Sequence, residues 1–598
     1  MAWECSCGNY NDDKAEKCLR CGAAKPAANF AFDLDAQLKS TAGDLFDLFG
    51  RSSGNGGANG EAAYTAPVGQ DSPAQDGEPL TEEEQRAEEL FREAMDIVDD
   101  DPVKSFEMLT EAAATGHARA EDELGESYFY GRGVDADYEK AAYWYERAAR
   151  KGVVTAQYNF GYCLRYGEGV EKNPALAAEW LKKAVENGSI SARLELGDLY
   201  YFGEGVTRDY KKAVEHYRYG AENDNIGCQT KLADCYYYGR GVEQDYGEAC
   251  KWYESAAEED NAYAQYSLGY CYEKGQGVEQ CWADAVKWYR RGAENGNVSA
   301  QCSIADCYYY GTGVVRDYGE ACAWYKTSAD GGHLGAQSKL GDCYFYGYGV
   351  AQNYEEACAW YQKAADEDYA YAQYSLGYCY EKGNGVPQNY KKAFELYKKS
   401  AENGNSSGEC AVGDCYYYGT GVAKSYADAL KWFEKAAEHG NTRAASKLGD
   451  CYYYGNGVTK DYIKACEWYQ KAADDDYAYA QYSLGYCYEK GEGVSQNYKK
   501  AFELYIKAFG NGNASAIAKL GDCYYYGRGV DQSYEKAVEY YRIGADKGNA
   551  YAQYSLGYCY EQGQGVKSNR YRAIDWYKKA AAQGNESAEK ALKKMGEG

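Results

Sequence analysis

Residues 262–275 read AYAQYSLGYCYEKG, and the same fourteen letters return at 370–383 and at 478–491. A fourth copy at 550–563 differs at one position, Gln562 in place of Lys. The three identical copies are 108 residues apart. Each ends on the first glycine of Gly-x-Gly-Val, and that phrase sets the register of the chain. Its first glycine falls at Gly131 and then every 36 residues up to Gly563, thirteen times in all. A fixed period of this length is the mark of stacked helix or strand units, each burying its apolar face against its neighbours.

Within one period the pattern is two helices. Six residues after the marker glycine stands a side chain suited to an N-cap: Asp137, Asn173, Asp209, Asp245, Asp317, Asn353, Asn389, Ser425, Asp461, Asn497, Ser533 and Asn569, with Cys281 as the exception. Four residues further on, every repeat carries Ala, from Ala141 to Ala573, as expected where helices cross too closely for anything larger. Pairs such as Trp252-Tyr253 and Trp288-Tyr289 lie in the same predicted helix. This second helix closes in turns such as ENGN (402–405), and the first helix of the next repeat follows, with Leu376 and Tyr380 four apart on its core face. Gly-x-Gly-Val is then the turn between first and second helix. It follows a helix rather than a strand and recurs thirteen times, which argues against a phosphate-binding loop.

The pattern A-x-x-x-L-G-x-x-Y-x-x-G-x-G-V-x-x-D-Y-x-K-A-x-x-W-Y-x-K-A-A, seen with small variations at 372–402 and 480–510, resembles the Sel1-like repeat family, a relative of the tetratricopeptide repeats. The resemblance implies an all-α fold, a right-handed α/α superhelical solenoid of thirteen 36-residue helix pairs. It implies that first helices line a concave surface and that the chain is an interaction scaffold or adaptor. The expected division is a zinc finger at 1–24, a linker at 25–80, a capping helix pair at 81–118, repeats at 119–584 and a capping helix at 585–598. The ends TEEEQRAEELFREAMDIVDDDPVKSFEMLTEAAATGH (82–117 from its first Glu) and ESAEKALKKM (586–595) supply the polar faces that a solenoid needs.

The spacing of 108 is three periods, so the repeats come in threes. Five residues before the marker the chain carries Glu126, Tyr162, Asp198, Asp234, Tyr270, Asp306, Asp342, Tyr378, Asp414, Asp450, Tyr486, Asp522 and Tyr558. Two before the marker the pattern inverts. Where the first position is Asp, the second is aromatic, as at Tyr237, Phe345 and Tyr453; where it is Tyr, from Tyr270 onward, the second is Glu273, Glu381, Glu489 or Glu561. Both positions lie off the Leu/Tyr core stripe, which predicts an exposed face. The candidate partner-binding set is Asp198, Asp234, Tyr237, Tyr270, Asp306, Tyr309, Asp342, Tyr378, Asp414, Tyr417, Asp450, Tyr453, Tyr486, Asp522 and Tyr525. Tyr and carboxylate in rows suit an extended peptide or protein with basic or apolar anchors. The same pattern is also what duplication of a three-repeat block leaves behind.

Net charge is −27, of which −6 lies in residues 1–80 (6 Lys/Arg against 12 Asp/Glu) and −21 in the rest. An acidic body repels phosphate backbones and anionic lipid, so nucleic acid and membrane are poor partners for the repeats. MAWECSCGNYNDDK has neither the basic start nor the apolar core of a signal peptide. Eleven of the 23 cysteines sit four residues before a marker, and four more (Cys250, Cys322, Cys358, Cys466) sit eleven after one. Equivalent positions in neighbouring repeats lie roughly 10 Å apart, beyond disulfide reach, which predicts reduced core thiols and a cytoplasmic location.

The remaining four, Cys5, Cys7, Cys18 and Cys21, form C-x-C…C-x-x-C, a ligand set for tetrahedral Zn2+. With Trp3 and Asn11 they resemble a RanBP2-type zinc finger or a short zinc ribbon, except that the first knuckle is one residue short. That family binds ubiquitin or RNA. The residues that carry those roles are replaced here by Gly8-Asn9 and by Lys14, Lys17 and Arg20 among acidic neighbours, so neither role transfers well and a structural or protein-docking finger is expected; RNA binding by the finger, with the solenoid recruiting other factors, is the alternative function. Between finger and repeats, FAFDLDAQLKSTAGDLFDLFG (30–50) precedes the flexible RSSGNGGANG (51–60). The first reads either as a short docking helix or as a tether with apolar residues. His117, His216, His333 and His439 lack the context of a nucleophile or a metal set, and no enzyme activity is expected.

Overall fold

The computed structural model describes residues 81–597 and two short strands, Trp3–Glu4 and Tyr10–Asn11, which pair antiparallel with Trp3 opposite Asn11. The rest of the described chain is helical. A pair made of α1 (Glu82–Asp96) and α2 (Pro102–Ala114) precedes thirteen repeats, and a last helix, Glu586–Lys594, follows them. In each repeat the first helix ends one residue before the marker glycine and the second begins seven after it; Ile226–Tyr238 and Tyr246–Glu258 are an example. The helices form two compact units, one up to Trp360 and one from Tyr361. Within each unit, apart from Tyr354–Asp366 at the division between them, every helix packs on the next. First helices of adjacent repeats also touch, as do 262–274 and 298–310 in one unit and 370–382 and 406–418 in the other.

Local chemistry sets these boundaries. The expected N-cap side chains accept backbone N–H bonds, for example Asp209 Oδ1 from Lys212 at 3.1 Å and Asn389 Oδ1 from Lys392 at 3.0 Å, and Cys281 makes none. The marker glycine ends the first helix in the left-handed region, with φ +67° at Gly275. The second glycine of the turn has a stricter reason to be Gly. At Gly277 φ is +75°, and a Cβ there would sit 2.1 Å from the carbonyl oxygen of Tyr246, at the start of the preceding repeat's second helix. The turn is therefore also a joint between repeats.

The invariant Ala, Ala141 to Ala573, is 0–1 % exposed in all thirteen repeats. Beside it lies the second aromatic of the Trp-Tyr pair. Tyr217, Tyr289, Tyr325, Tyr397, Tyr505 and Tyr577 are among the largest fully buried side chains in the molecule. Burying a Tyr removes roughly 150–250 Å2 from water, an upper bound of about 4–6 kcal/mol at 25 cal/mol per Å2. That gain is eroded by about 1–3 kcal/mol if the hydroxyl finds no acceptor. The fold must therefore supply one acceptor for each of these phenols.

Candidate functional site

The acceptors come from the rows of acidic residues on the first helices. In Asp repeats, Tyr217 donates to Asp198 at 2.6 Å, Tyr253 to Asp234 at 2.6 Å, Tyr469 to Asp450 at 2.8 Å and Tyr541 to Asp522 at 2.7 Å; Tyr325 donates to Asp306. In Tyr repeats, the Glu three residues later takes over. Tyr289 donates to Glu273, Tyr397 to Glu381 and Tyr577 to Glu561 at 2.7 Å each, and Tyr505 to Glu489 at 2.6 Å. The inversion seen in the sequence thus keeps one carboxylate beneath each of these nine phenols.

Two departures follow the same logic. Where the second helix carries Leu181 instead of Tyr, the first helix carries Tyr162 and Arg165 and no carboxylate at either position. Where it carries Phe433, Asp414 loses its phenol: Asp414 pairs with Arg443 through Oδ2, and its buried Oδ1 has no hydrogen-bond partner.

This alters the expected exposure. Asp234, Asp342 and Asp450 are buried at 3 %, 9 % and 7 %, and Asp198, Asp306, Asp414 and Asp522 are half-buried. The Asp next before a Tyr repeat also takes a second phenol, 29 residues on: Tyr263 on Asp234 at 2.9 Å, Tyr479 on Asp450 at 3.1 Å, Tyr551 on Asp522 at 3.1 Å. Those donors are the Tyr of AYAQ, and they give the recurring fourteen-residue phrase a structural part. Burial pushes the Asp234, Asp306, Asp450 and Asp522 carboxyls above the ordinary range, against the pull of the phenol bonds. Burial opposes Glu489 too, yet Tyr505 and Lys519 hold it below its ordinary value.

The second-position tyrosines serve the joint between repeats. Each reaches the middle residue of the next Gly-x-Gly-Val, 39 residues on. Tyr237 donates to Gln276, Tyr453 to Glu492 and Tyr525 to Gln564; Tyr417 accepts from Asn456 at 2.7 Å; Tyr309 meets Tyr348 edge to face at 6.0 Å. All five are half-buried. The first-position tyrosines stand further out. Tyr378 is 38 % exposed, and Tyr270 and Tyr486 lie under Lys274 and Lys490, each at 5.5 Å.

The most exposed aromatic row was missed by sequence reasoning. It is the last residue of the first helix: Tyr310 (56 %), Tyr346 (58 %), Tyr418 (56 %), Tyr454 (60 %) and Tyr526 (55 %), with Tyr238 less open. Each stands four residues after a first-position Asp, on the same helix face. In the identical Tyr repeats Lys274, Lys382 and Lys490 replace it. The next repeat reaches back to this row, with Lys339 Nζ 3.0 Å from the Tyr310 hydroxyl and Lys447 Nζ 3.2 Å from that of Tyr418. The available signal was the spacing of four from Asp.

With this geometry in hand, comparison with known proteins is informative. The Sel1 repeat model matches thirteen consecutive segments, from 118–153 to 550–585. The chain belongs to the Sel1 repeat family. Among solved structures, a Sel1-like protective antigen of uropathogenic Escherichia coli is 32 % identical, with a TM-score of 0.59 over 82 % of this chain and 97 % of its own. A Sel1 repeat protein from Oxalobacter formigenes is also 32 % identical, over 41 % of this chain and 96 % of its own, with a TM-score of 0.38. No curated protein matches the chain. The Sel1 repeats account for the helix pairs; the alternation of Asp and Tyr types is a property read from this chain.

The Cys5, Cys7, Cys18 and Cys21 set lies outside the described residues, as does the segment 30–50. Among the described residues no group of His, Cys, Asp and Glu is placed to hold a metal ion. Most of the nineteen repeat cysteines are buried. His117 and His333 act as N-caps, accepting from Ala120 and Ala336 at 3.1 Å, and His439 pairs with the buried Glu409 at 2.9 Å. Among the described residues no helix is long and apolar enough to cross a membrane.

Proposed function

We propose that the protein is a non-enzymatic interaction scaffold that holds a partner protein or extended peptide against the faces of its first helices. The observation that carries this reading is the half-exposed tyrosines at one register position, Tyr310 and Tyr346 in one unit and Tyr418, Tyr454 and Tyr526 in the other. Exposed aromatics in register are the kind of surface that specific partners cover. A phenol offers a broad apolar face, a hydroxyl and a stacking site for Lys or Arg at small entropic cost. The acidic body favours a partner with basic residues. In Sel1-like relatives this is the concave lining, and we assign the partner to that face. The Asp residues act beneath it as structural acceptors, and the tyrosines make the contact. The cytoplasm, where thiols stay reduced, is the compartment proposed.

We also propose that Cys5, Cys7, Cys18 and Cys21 bind one Zn2+ and fold the N-terminal module. One zinc per chain in elemental analysis, lost with Cys18→Ser and Cys21→Ser, supports this; an unchanged metal content refutes it.

The scaffold reading is tested by affinity purification of the full-length chain from its own cell lysate, with protein and RNA both quantified. The same is done for Tyr310→Ala with Tyr418→Ala and Tyr454→Ala. Stoichiometric proteins, little RNA and at least a tenfold loss in the triple variant are expected. Capture unchanged in the variant would move the site off this row. RNA that disappears on zinc chelation would make the N-terminal module the binding element.

A further inference from the structure

The expectation that no two repeat cysteines can meet holds for equivalent positions. It does not cover the pair 21 residues apart in sequence that joins one repeat's second helix to the next repeat's first. Cys250, 4 % exposed, and Cys271, 0 % exposed, share one core cluster. Gln276 grips both. Its backbone N–H donates to the Cys271 carbonyl at 3.0 Å, and its own carbonyl accepts from the Cys250 thiol at 3.2 Å. Among the contacts described within each unit, the arrangement recurs twice. Cys322 and Cys343 share one core cluster, with Tyr348 bonded to them at 2.9 and 3.0 Å; Cys466 and Cys487 share another, with Glu492 at 3.2 and 3.1 Å. Packing alone does not require a thiol on the second helix, because the equivalents of Cys250 in other repeats include Val214 and Val286, both buried.

We propose that Cys250–Cys271, Cys322–Cys343 and Cys466–Cys487 are reversible disulfide sites, closed by hydrogen peroxide, that lock the joints between successive repeats. In the first step the Cys250 thiolate attacks one peroxide oxygen, the O–O bond breaks and hydroxide leaves, giving a sulfenic acid. The Cys271 sulfur, losing its proton, then attacks the Cys250 sulfur; the S–O bond breaks and water leaves. Two thiols and one peroxide become one disulfide and two waters. Cys250 is the first nucleophile: it is the more exposed of the two, and the neighbouring Cys271 thiol holds it below its ordinary value while Cys250 and burial push Cys271 up.

The test uses the full-length chain, reduced, treated with peroxide, blocked with N-ethylmaleimide and mapped by mass spectrometry without reduction. Three cross-linked peptides matching these pairs, each lighter by two hydrogens and each lost on dithiothreitol treatment, are expected. Cys250→Val, which installs the side chain that Val214 and Val286 already have, removes the first cross-link and leaves the other two. Scrambled pairing with other cysteines would overturn the proposal. So would sulfinic or sulfonic acids on these residues in place of disulfides, or free thiols at a peroxide dose that oxidises the same peptides in urea.

Discussion

Two neighbouring repeats of one unit, 442–477 and 478–513, solve one problem with different residues. In the first, Asp450 holds the buried hydroxyl of Tyr469 at 2.8 Å and leaves the second position to Tyr453. In the second, Tyr486 occupies the first position and Glu489, one turn on, holds Tyr505 at 2.6 Å. The backbones match, and the phenol is fixed in both. The carboxylate moves along the first helix, and what it vacates becomes aromatic surface. A buried polar group constrains its partner's presence more tightly than its position. The alternation therefore changes which side chains reach solvent while the core stays the same.

Removing the acceptor should have the largest effect, and the two repeat types should differ. Asp450→Ala strips two phenols, Tyr469 and Tyr479, whereas Glu561→Ala, in another Tyr repeat of the same unit, strips only Tyr577. We expect losses of about 3 and about 2 kcal/mol, read as accelerated amide exchange confined to the affected repeat and its neighbours. Equal losses would mean that the second phenol contributes nothing. A smaller effect of opposite sign is expected where the phenol is missing. Phe433→Tyr offers a donor to the unpartnered Asp414 Oδ1 and should slow local exchange, a gain of about 1 kcal/mol. Faster exchange would show that Arg443 already satisfies this carboxylate.

The first repeat sharpens the comparison by pH. There Asp122 accepts from Thr155, and burial pushes its carboxyl from 3.8 up to about 8. Between those values the folded chain keeps a proton that the unfolded chain releases. Stability from this group is therefore full below about pH 4, falls as pH rises towards about 8, and is level above. Asp122→Asn should flatten that slope and raise the Tm at pH 8 more than at pH 4. An unchanged slope would show that the carboxylate ionises freely in the fold. The smallest stability change belongs to the outermost row. Tyr310→Ala, at 56 % exposure, should shift stability by no more than about 0.5 kcal/mol while weakening partner capture. A large loss of stability would make this row structural as well.

Much of the fold is legible from local rules. The period, the N-caps from Asp137 to Asn569, the invariant Ala and the turn glycines each act within a few residues, and each is found where the pattern puts it. The roles of Asp and Tyr are less local. Asp234 was visible as one member of a row, but its partners Tyr253 and Tyr263 lie 19 and 29 residues away, on other helices. A side chain off the Leu/Tyr stripe looks exposed on an isolated helix and becomes buried once the next repeat covers it. The substitutions at Leu181 and Phe433 were the available clue, since each coincides with a break in the acidic pattern or its pairing. The cysteine pairs escaped for a similar reason: only unlike positions meet.

The most direct test is to convert one repeat type into the other. Asp306 and Tyr309 are suited, because the residue 29 after Asp306 is Gly335, so no second phenol depends on this carboxylate. Amide exchange in residues 298–330 would be measured for Asp306→Tyr, Tyr309→Glu and the double variant. The account predicts that Asp306→Tyr alone costs about 2 kcal/mol, since Tyr325 loses its acceptor, and that adding Tyr309→Glu restores most of it. Losses that simply add would contradict it, because the carboxylate would then matter for its position and not for the phenol it holds.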